Sequence, residues 1–297
     1  MIECDKEMQL KYKVYFKTLG AGLVFGFCFA CTNTETFPGS NITELQDTNK
    51  LSVNIKNETT LLPLHNTTKH QWKLDSTRSD EFNNNTGIDY SKWKKNPNPV
   101  QTWTWDNELN THVQDGYLTI KMQYQPHTRS ISNPCKAGSQ IHNSSLFFKS
   151  AMLESYAGGT VGYYEARIKG VNTFPGFSPA FWMYSRFDDS SSVEGTVRYS
   201  EIDVVELQQR QAFKAGNERI SGHNLHVALT DKSGKNNPTG RAWRRPGKYH
   251  EQENIHILEQ DPGEVFHVFG TYVSKEEIIW YVDEKEVGRA KNKYWKQ

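Results

Sequence analysis

From about residue 71 onward, short runs of β-branched and aromatic residues alternate with polar turns. The runs are Tyr117–Tyr124, Val161–Lys169, Pro179–Tyr184, Glu201–Leu207, Asn224–Thr230, Val265–Val273 and Ile278–Val282. Such residues suit a pleated, half-buried surface, so each run predicts a strand. Asp115-Gly116, Gly158-Gly159 and Asp261-Pro262-Gly263 supply turns between them. No long amphipathic helix pattern and no repeat period stand out. Many short strands without helices predict an all-β antiparallel sandwich.

One of these runs breaks its own pattern. Glu201-Ile-Asp203-Val-Val-Glu206 places three carboxylates among Ile and Val. In a regular strand Glu201 and Asp203 share a face, and Glu206, five positions on, points the other way. One extra residue between Asp203 and Glu206 restores the phase, and a β-bulge supplies it. Glu201 and Glu206 then stand four strand steps apart, about 13.6 Å between Cα atoms at roughly 3.4 Å per step. With both side chains leaning inward, about 5–6 Å separates the carboxyl groups, the spacing of a retaining glycosidase. The competing reading is an exposed edge strand with acids on its wet face.

The chain has 297 residues with 36% hydrophobic and 12% aromatic content, enough for one large β domain plus a tail. Its formal charge is +1, and the first thirty residues carry four lysines against three acids, so the remainder of the chain is neutral. Overall charge therefore predicts no nucleic-acid or membrane-surface partner. Lys11, Lys13 and Lys17 precede the uncharged, mostly apolar stretch Thr18 to Ala30. That stretch is short for a bilayer-spanning helix and suits an export signal. Phe29-Ala30-Cys31 resembles the end of a bacterial lipobox with Cys31 as the lipidated residue, against ordinary cleavage nearby. Residues 1–31 are thus expected to be a signal, and the protein a secreted or surface-anchored bacterial one. Residues 32–70, rich in Asn, Thr, Ser and Glu, read as a flexible linker. Residues 71–297 are the expected catalytic domain. Cys135 is then the one remaining thiol, and no metal-binding cysteine pattern exists.

Several stretches together resemble glycoside hydrolase family 16 and, within it, the κ-carrageenases. They are Arg78 to Asn83, Gly162 to Gly170, Thr173-Phe-Pro-Gly-Phe-Ser-Pro-Ala-Phe-Trp-Met-Tyr-Ser185, Tyr199 to Leu207, Trp243-Arg-Arg-Pro-Gly247 and Trp280-Tyr-Val-Asp283. The resemblance implies a jelly-roll sandwich of two curved antiparallel sheets with a concave substrate cleft. It implies endo-hydrolysis of β-1,4 linkages in a sulfated galactan, with retention. Glu201 then corresponds to the nucleophile and Glu206 to the general acid/base, with Asp203 between them. No cofactor is implied for the chemistry. A structural calcium is implied for many family members, and the domain is expected to work as a monomer.

The resemblance also nominates substrate contacts. Trp182 and Trp243 are candidate sugar platforms, each against the alternative of a core Trp. Trp103 and Trp105 share a face and fit core or cleft equally. Sulfate esters need fixed cations, and the planar fork of Arg can bond two oxygens at once. Arg241, Arg244 and Arg245 cluster within five residues, with Arg245 the first choice. Arg210 and Arg219 follow the acid strand and compete with a solvated surface role. His226 matches a family histidine that can hydrogen-bond substrate or Glu206. Glu165 and Arg167 read as strand scaffolding.

The match departs from the family at its end, where the chain stops at Gln297. The family domain continues with at least one more loop and strand. A sandwich with its C-terminal strands missing is therefore expected, together with the loss of a calcium ligand and of a partner for Cys135. Two other readings compete. One is the same chemistry on another red-algal galactan: furcellaran, porphyran or agarose. The other is a carbohydrate-binding jelly roll without catalysis, which has no use for three acids at this spacing.

Overall fold

The computed structural model describes residues 8–20, 23–28, 72–83, 86–98, 103–131, 142–171, 177–188, 190–207, 217–233, 241–244 and 255–293. In chain order the strands are β1 (Met8–Gly20), β2 (Leu23–Cys28), β3 (Thr111–Gln114), β4 (Tyr117–Ile131), β5 (His142–Lys149), β6 (Gly159–Lys169), β7 (Ser178–Tyr184) and β8 (Val197–Leu207). They continue with β9 (Ile220–Gly222), β10 (Leu225–Thr230), β11 (Arg241–Arg244), β12 (Ile255–Ile257), β13 (His267–Val273), β14 (Glu277–Val282) and β15 (Lys285–Lys291). Among the described residues one α-helix occurs, α1 (Asn107–Asn110), whose first turn is capped by the Asp106 carboxylate.

All seven runs picked out in the sequence contain strands. They assemble into two antiparallel sheets, the sandwich expected. One sheet has the order β15-β14-β13-β6-β1-β4-β3, with β5 on β4. The other has the order β11-β10-β8-β7-β2, with β9 and β12 paired beside β8. Alternation along β7 and β8 explains their packing. Phe181 and Met183 of β7, and Val204, Val205 and Leu207 of β8, are buried in the main core. From the other sheet come Leu118, Ile120, Tyr164, Ala166, Ile168, Phe269 and Trp280. A smaller aromatic cluster of Tyr163, Ile279 and Tyr281 packs with Trp72 and Tyr272.

The scaffolding residues of β6 behave as their alternation predicts. Tyr163 donates its hydroxyl to Glu165 at 2.9 Å, and the Arg167 guanidinium lies 4.3 Å from the Phe266 ring centroid.

The segments whose pattern reads as an export signal form β1 and β2. β1 pairs with β4 and β6, and β2 with β7. A signal removed at Cys31 would take both strands with it. Residues 32–70, Cys31, Cys135, Arg210 and Arg245 lie outside the described residues.

Candidate active site

The register of β7 against β8 carries the phase argument. Ala180 pairs with Glu206 and Phe181 with Val205; then the register shifts, and Trp182 pairs with Asp203 and Tyr184 with Glu201. Val204 is the extra residue. Directly opposed residues share a face of the sheet. Ala180, Trp182 and Tyr184 stand at alternate positions, so their partners Glu206, Asp203 and Glu201 line one face together. Their β7 partners span four strand steps from Ala180 to Tyr184, the count that the spacing predicts. Phe181, Met183 and Val205 take the opposite face and fill the core.

The three acids sit in different surroundings. The Glu201 side chain keeps 22% of its surface exposed, Asp203 only 2%. Glu206 is buried and its carboxylate accepts a hydrogen bond from Asn224 Nδ2 at 2.8 Å. Tyr199, two residues before Glu201 and so on the same face, donates its hydroxyl to the Glu201 carboxylate. His226 of β10 pairs directly with Glu201. Its Nε2 lies 3.2 Å from an Asp203 oxygen and 3.9 Å from a Glu201 oxygen. His226 therefore meets the nucleophile candidate and its neighbour, while it is Asn224 that reaches Glu206.

Burial and crowding set the protonation of this group. Burial first, and then the charge of Asp203, push Glu201 up to about 7; His226 and the Tyr199 hydroxyl oppose that rise. Asp203 is also pushed well up, by its own burial and by the charge of Glu206. Two close carboxyls in a poorly solvated place cannot both ionise cheaply. Ionising one therefore favours keeping the proton on the other. Donor atoms of Glu201, Asp203 and His226 also lie within 4.8 Å of one another, the one such group among the described residues. An imidazole in the set departs from the all-oxygen ligands calcium takes, so this cluster does not fit the calcium the resemblance implies.

Aromatic rings border the acids. Trp182 tilts against Tyr184 with centroids 5.1 Å apart, and Phe187 stacks on Tyr199 at 4.3 Å. Trp182 is part-exposed beside Asp203, on the acid face and away from the core. Trp103 and Trp105 pack together at 6.3 Å, and Arg129 donates to the Trp103 carbonyl. Arg241, Trp243 and Arg244 lie on β11, which pairs with β10, two strands from the acids; Trp243 pairs with Ala228. Arg219 donates to the Glu259 carbonyl, a surface role.

Sequence reasoning did not select Tyr199 or Asn224. Tyr199 was findable, because a residue two before Glu201 must share its face. Asn224 was not, since only the pairing of β8 with β9 and β10 brings it to Glu206.

The comparisons with known proteins agree on a family. A family model described as Beta-porphyranase A-D, GH16 domain, matches residues 72–296. The κ-carrageenase of Pseudoalteromonas carrageenovora is 44% identical over 225 residues, covering 75% of this chain and 53% of that protein. The chain thus spans about half the length of that relative. The crystal structure of that κ-carrageenase with an oligotetrasaccharide of κ-carrageenan is 41% identical, with a TM-score of 0.69. The match covers 79% of this chain and 81% of that one. The κ-carrageenase of Zobellia galactanivorans gives 35% identity and a TM-score of 0.61, over 79% and 80% of the two chains.

Proposed function

This chain belongs to glycoside hydrolase family 16, and from that premise we propose that it is a retaining endo-hydrolase of β-1,4 linkages in κ-carrageenan. The observation that carries the reading is the bulge at Val204, which sets Glu201, Asp203 and Glu206 on one face of β8.

In the proposed reaction Glu201 attacks the anomeric carbon of the galactose unit. Glu206 gives its proton to the departing glycosidic oxygen. A glycosyl ester to Glu201 results. Water then attacks the same carbon, Glu206 takes a proton from that water, and the bond to Glu201 breaks. The sugar keeps its configuration after two inversions. Asp203 and Tyr199 hydrogen-bond around Glu201 and hold its carboxyl in line. His226 Nε2, 3.2 Å from an Asp203 oxygen, holds that carboxyl beside Glu201. Trp182 offers a ring for a sugar face beside the acids. Trp243, Arg241, Arg244 and Arg245 are the proposed contacts for more distant sugars and their sulfate esters. Arg suits a sulfate because two of its N–H groups bond two oxygens in one plane.

Porphyran is the second substrate reading, favoured by the family model that matches residues 72–296. Reducing-sugar release from κ-carrageenan, porphyran and agarose separates the readings. Release from κ-carrageenan at least tenfold above the others is the expected result. Release from porphyran alone moves the assignment to that polymer, and binding without release from any of them ends the enzymatic reading.

Export with a lipid on Cys31 is also proposed, on the basic and apolar pattern of residues 11–31. Mass spectrometry of the membrane fraction is expected to find a lipidated N-terminus at Cys31. Recovery of residues 8–28 in the mature protein sinks this proposal and leaves β1 and β2 in the sheets.

A further inference from the structure

On the flank of β8 away from β7, Leu225 pairs with Ile202 and Gly222 pairs with Glu206. Three residues of β8, Asp203 to Val205, therefore lie against only two, His223 and Asn224. β9 ends just before those two and β10 begins just after. A bulge takes peptide groups out of the ladder, and buried peptide groups need partners. Side chains provide them here. His223, with no exposed surface, bonds the Val204 carbonyl through Nδ1 at 2.6 Å. A carbonyl only accepts, so Nδ1 carries the proton and Nε2 accepts from the Ser221 hydroxyl at 3.1 Å. Trp280, also fully buried, donates its indole N–H to the Asp203 carbonyl at 2.8 Å. Trp280 belongs to β14 of the opposite sheet, so that bond crosses the core.

We infer that His223 and Trp280 are positioning residues that pin the one-residue bulge at Val204 and thereby hold Glu206 on the face of Glu201. Apolar packing does not choose the bulge position by itself. Val204 and Val205 have the same side chain and are both fully buried, so the extra residue can sit at either position with similar packing. The two donors break that degeneracy. Losing the bulge would return the Asp203 and Val204 carbonyls to the ladder and leave an imidazole and an indole N–H buried without acceptors, which is costly. It would also turn Glu206 to the core face. The inference rests on the acid/base role proposed above for Glu206.

The test uses two substrates. The polymer needs a proton on its leaving group. An aryl β-glycoside of the carrageenan disaccharide does not, and azide replaces the base-activated water in the second step. Glu206→Ala sets the pattern: polymer turnover is lost, and aryl glycoside turnover returns with azide. Trp280→Phe keeps a ring in the core and removes only the N–H; His223→Leu removes the other donor. Both are expected to lower kcat on the polymer on the order of 10²-fold, the scale of a misplaced catalytic group. Their aryl glycoside turnover in azide stays near wild type. His223→Asn, which retains a side-chain N–H donor, recovers most of the polymer rate. Equal loss on both substrates assigns these residues a general structural role and overturns the inference. So do wild-type polymer rates in both variants. If one variant fails to fold, the other and His223→Asn decide. A wild-type chain inert on polymer and aryl glycoside alike overturns the proposed activity, and this inference with it.

Discussion

Glu201→Gln abolishes hydrolysis and stabilises the fold above neutral pH. The loss of rate is expected to reach roughly 10⁵–10⁶-fold, the scale seen when a hydrolase loses its covalent nucleophile. The gain in stability comes from the same burial that tunes the acid. Glu201 titrates at about 7 in the folded chain, against 4.5 for an unburied glutamate. A carboxyl raised in this way favours the fold while it is protonated. Its contribution is fully present below pH 4.5 and is lost as pH rises through 7. Gln stays neutral throughout. At pH 8 the variant is therefore more stable by about 3 kcal/mol, taking 1.36 kcal/mol per pH unit, and at pH 4.5 the two are nearly equal. Thermal melts of both proteins at pH 5 and pH 8 read this difference, which corresponds to several degrees for a domain of this size. The native enzyme shows the kinetic side of the same shift. In the proposed mechanism attack needs ionised Glu201, so kcat/KM is expected to climb with pH through about 7. A variant that is inactive yet no more stable at pH 8, or a native profile flat from pH 5 to 8, removes Glu201 from this role.

Seven strands and the acid phase were legible because each depends on local alternation. Three acids out of phase by one residue implied a bulge, and Val204 is that bulge. β5 and β15 were not legible. β5 has no buried residue among those of Asn143–Lys149, and β15 has none at all. β15 sends only the part-buried Val287 and Ala290 against the core, so neither strand carries a strong hydrophobic period. β9 and β12 are three residues long, too short for any period. The site was legible only along β8 itself. His223, Asn224 and Trp280 meet the bulge from 18 or more positions away, through pairings that a single run of sequence does not encode. β7 and β8 were readable for the opposite reason: Phe181 and Met183 of the one, and Val204, Val205 and Leu207 of the other, give each run a core face.

Phe181 and Trp182 are neighbours in sequence with opposite assignments, and their alanine variants are expected to fail in opposite ways. Phe181 has no exposed surface, packs in the main core and pairs with Val205 beside the bulge. Truncating a buried Phe costs about 3–5 kcal/mol, from lost transfer and from the cavity left behind. Against a total stability of roughly 5–15 kcal/mol, Phe181→Ala is close to the limit the fold can bear. Its melting point falls by roughly 10 °C, while the molecules that stay folded keep near-normal affinity for polymer. Trp182 stands on the other face, opposite Asp203 and against Tyr184. Its removal exposes no core, so the melt moves little. A stacked aromatic contributes about 0.5–1.5 kcal/mol beyond simple area burial, and 1.4 kcal/mol is tenfold in affinity. Trp182→Ala is therefore expected to raise KM about tenfold at a kcat within a few-fold of native. Denaturant titration and Michaelis analysis on the two proteins separate the faces. A large loss of stability in Trp182→Ala with KM unchanged makes Trp182 a packing residue, and the platform beside the acids then has to come from another ring.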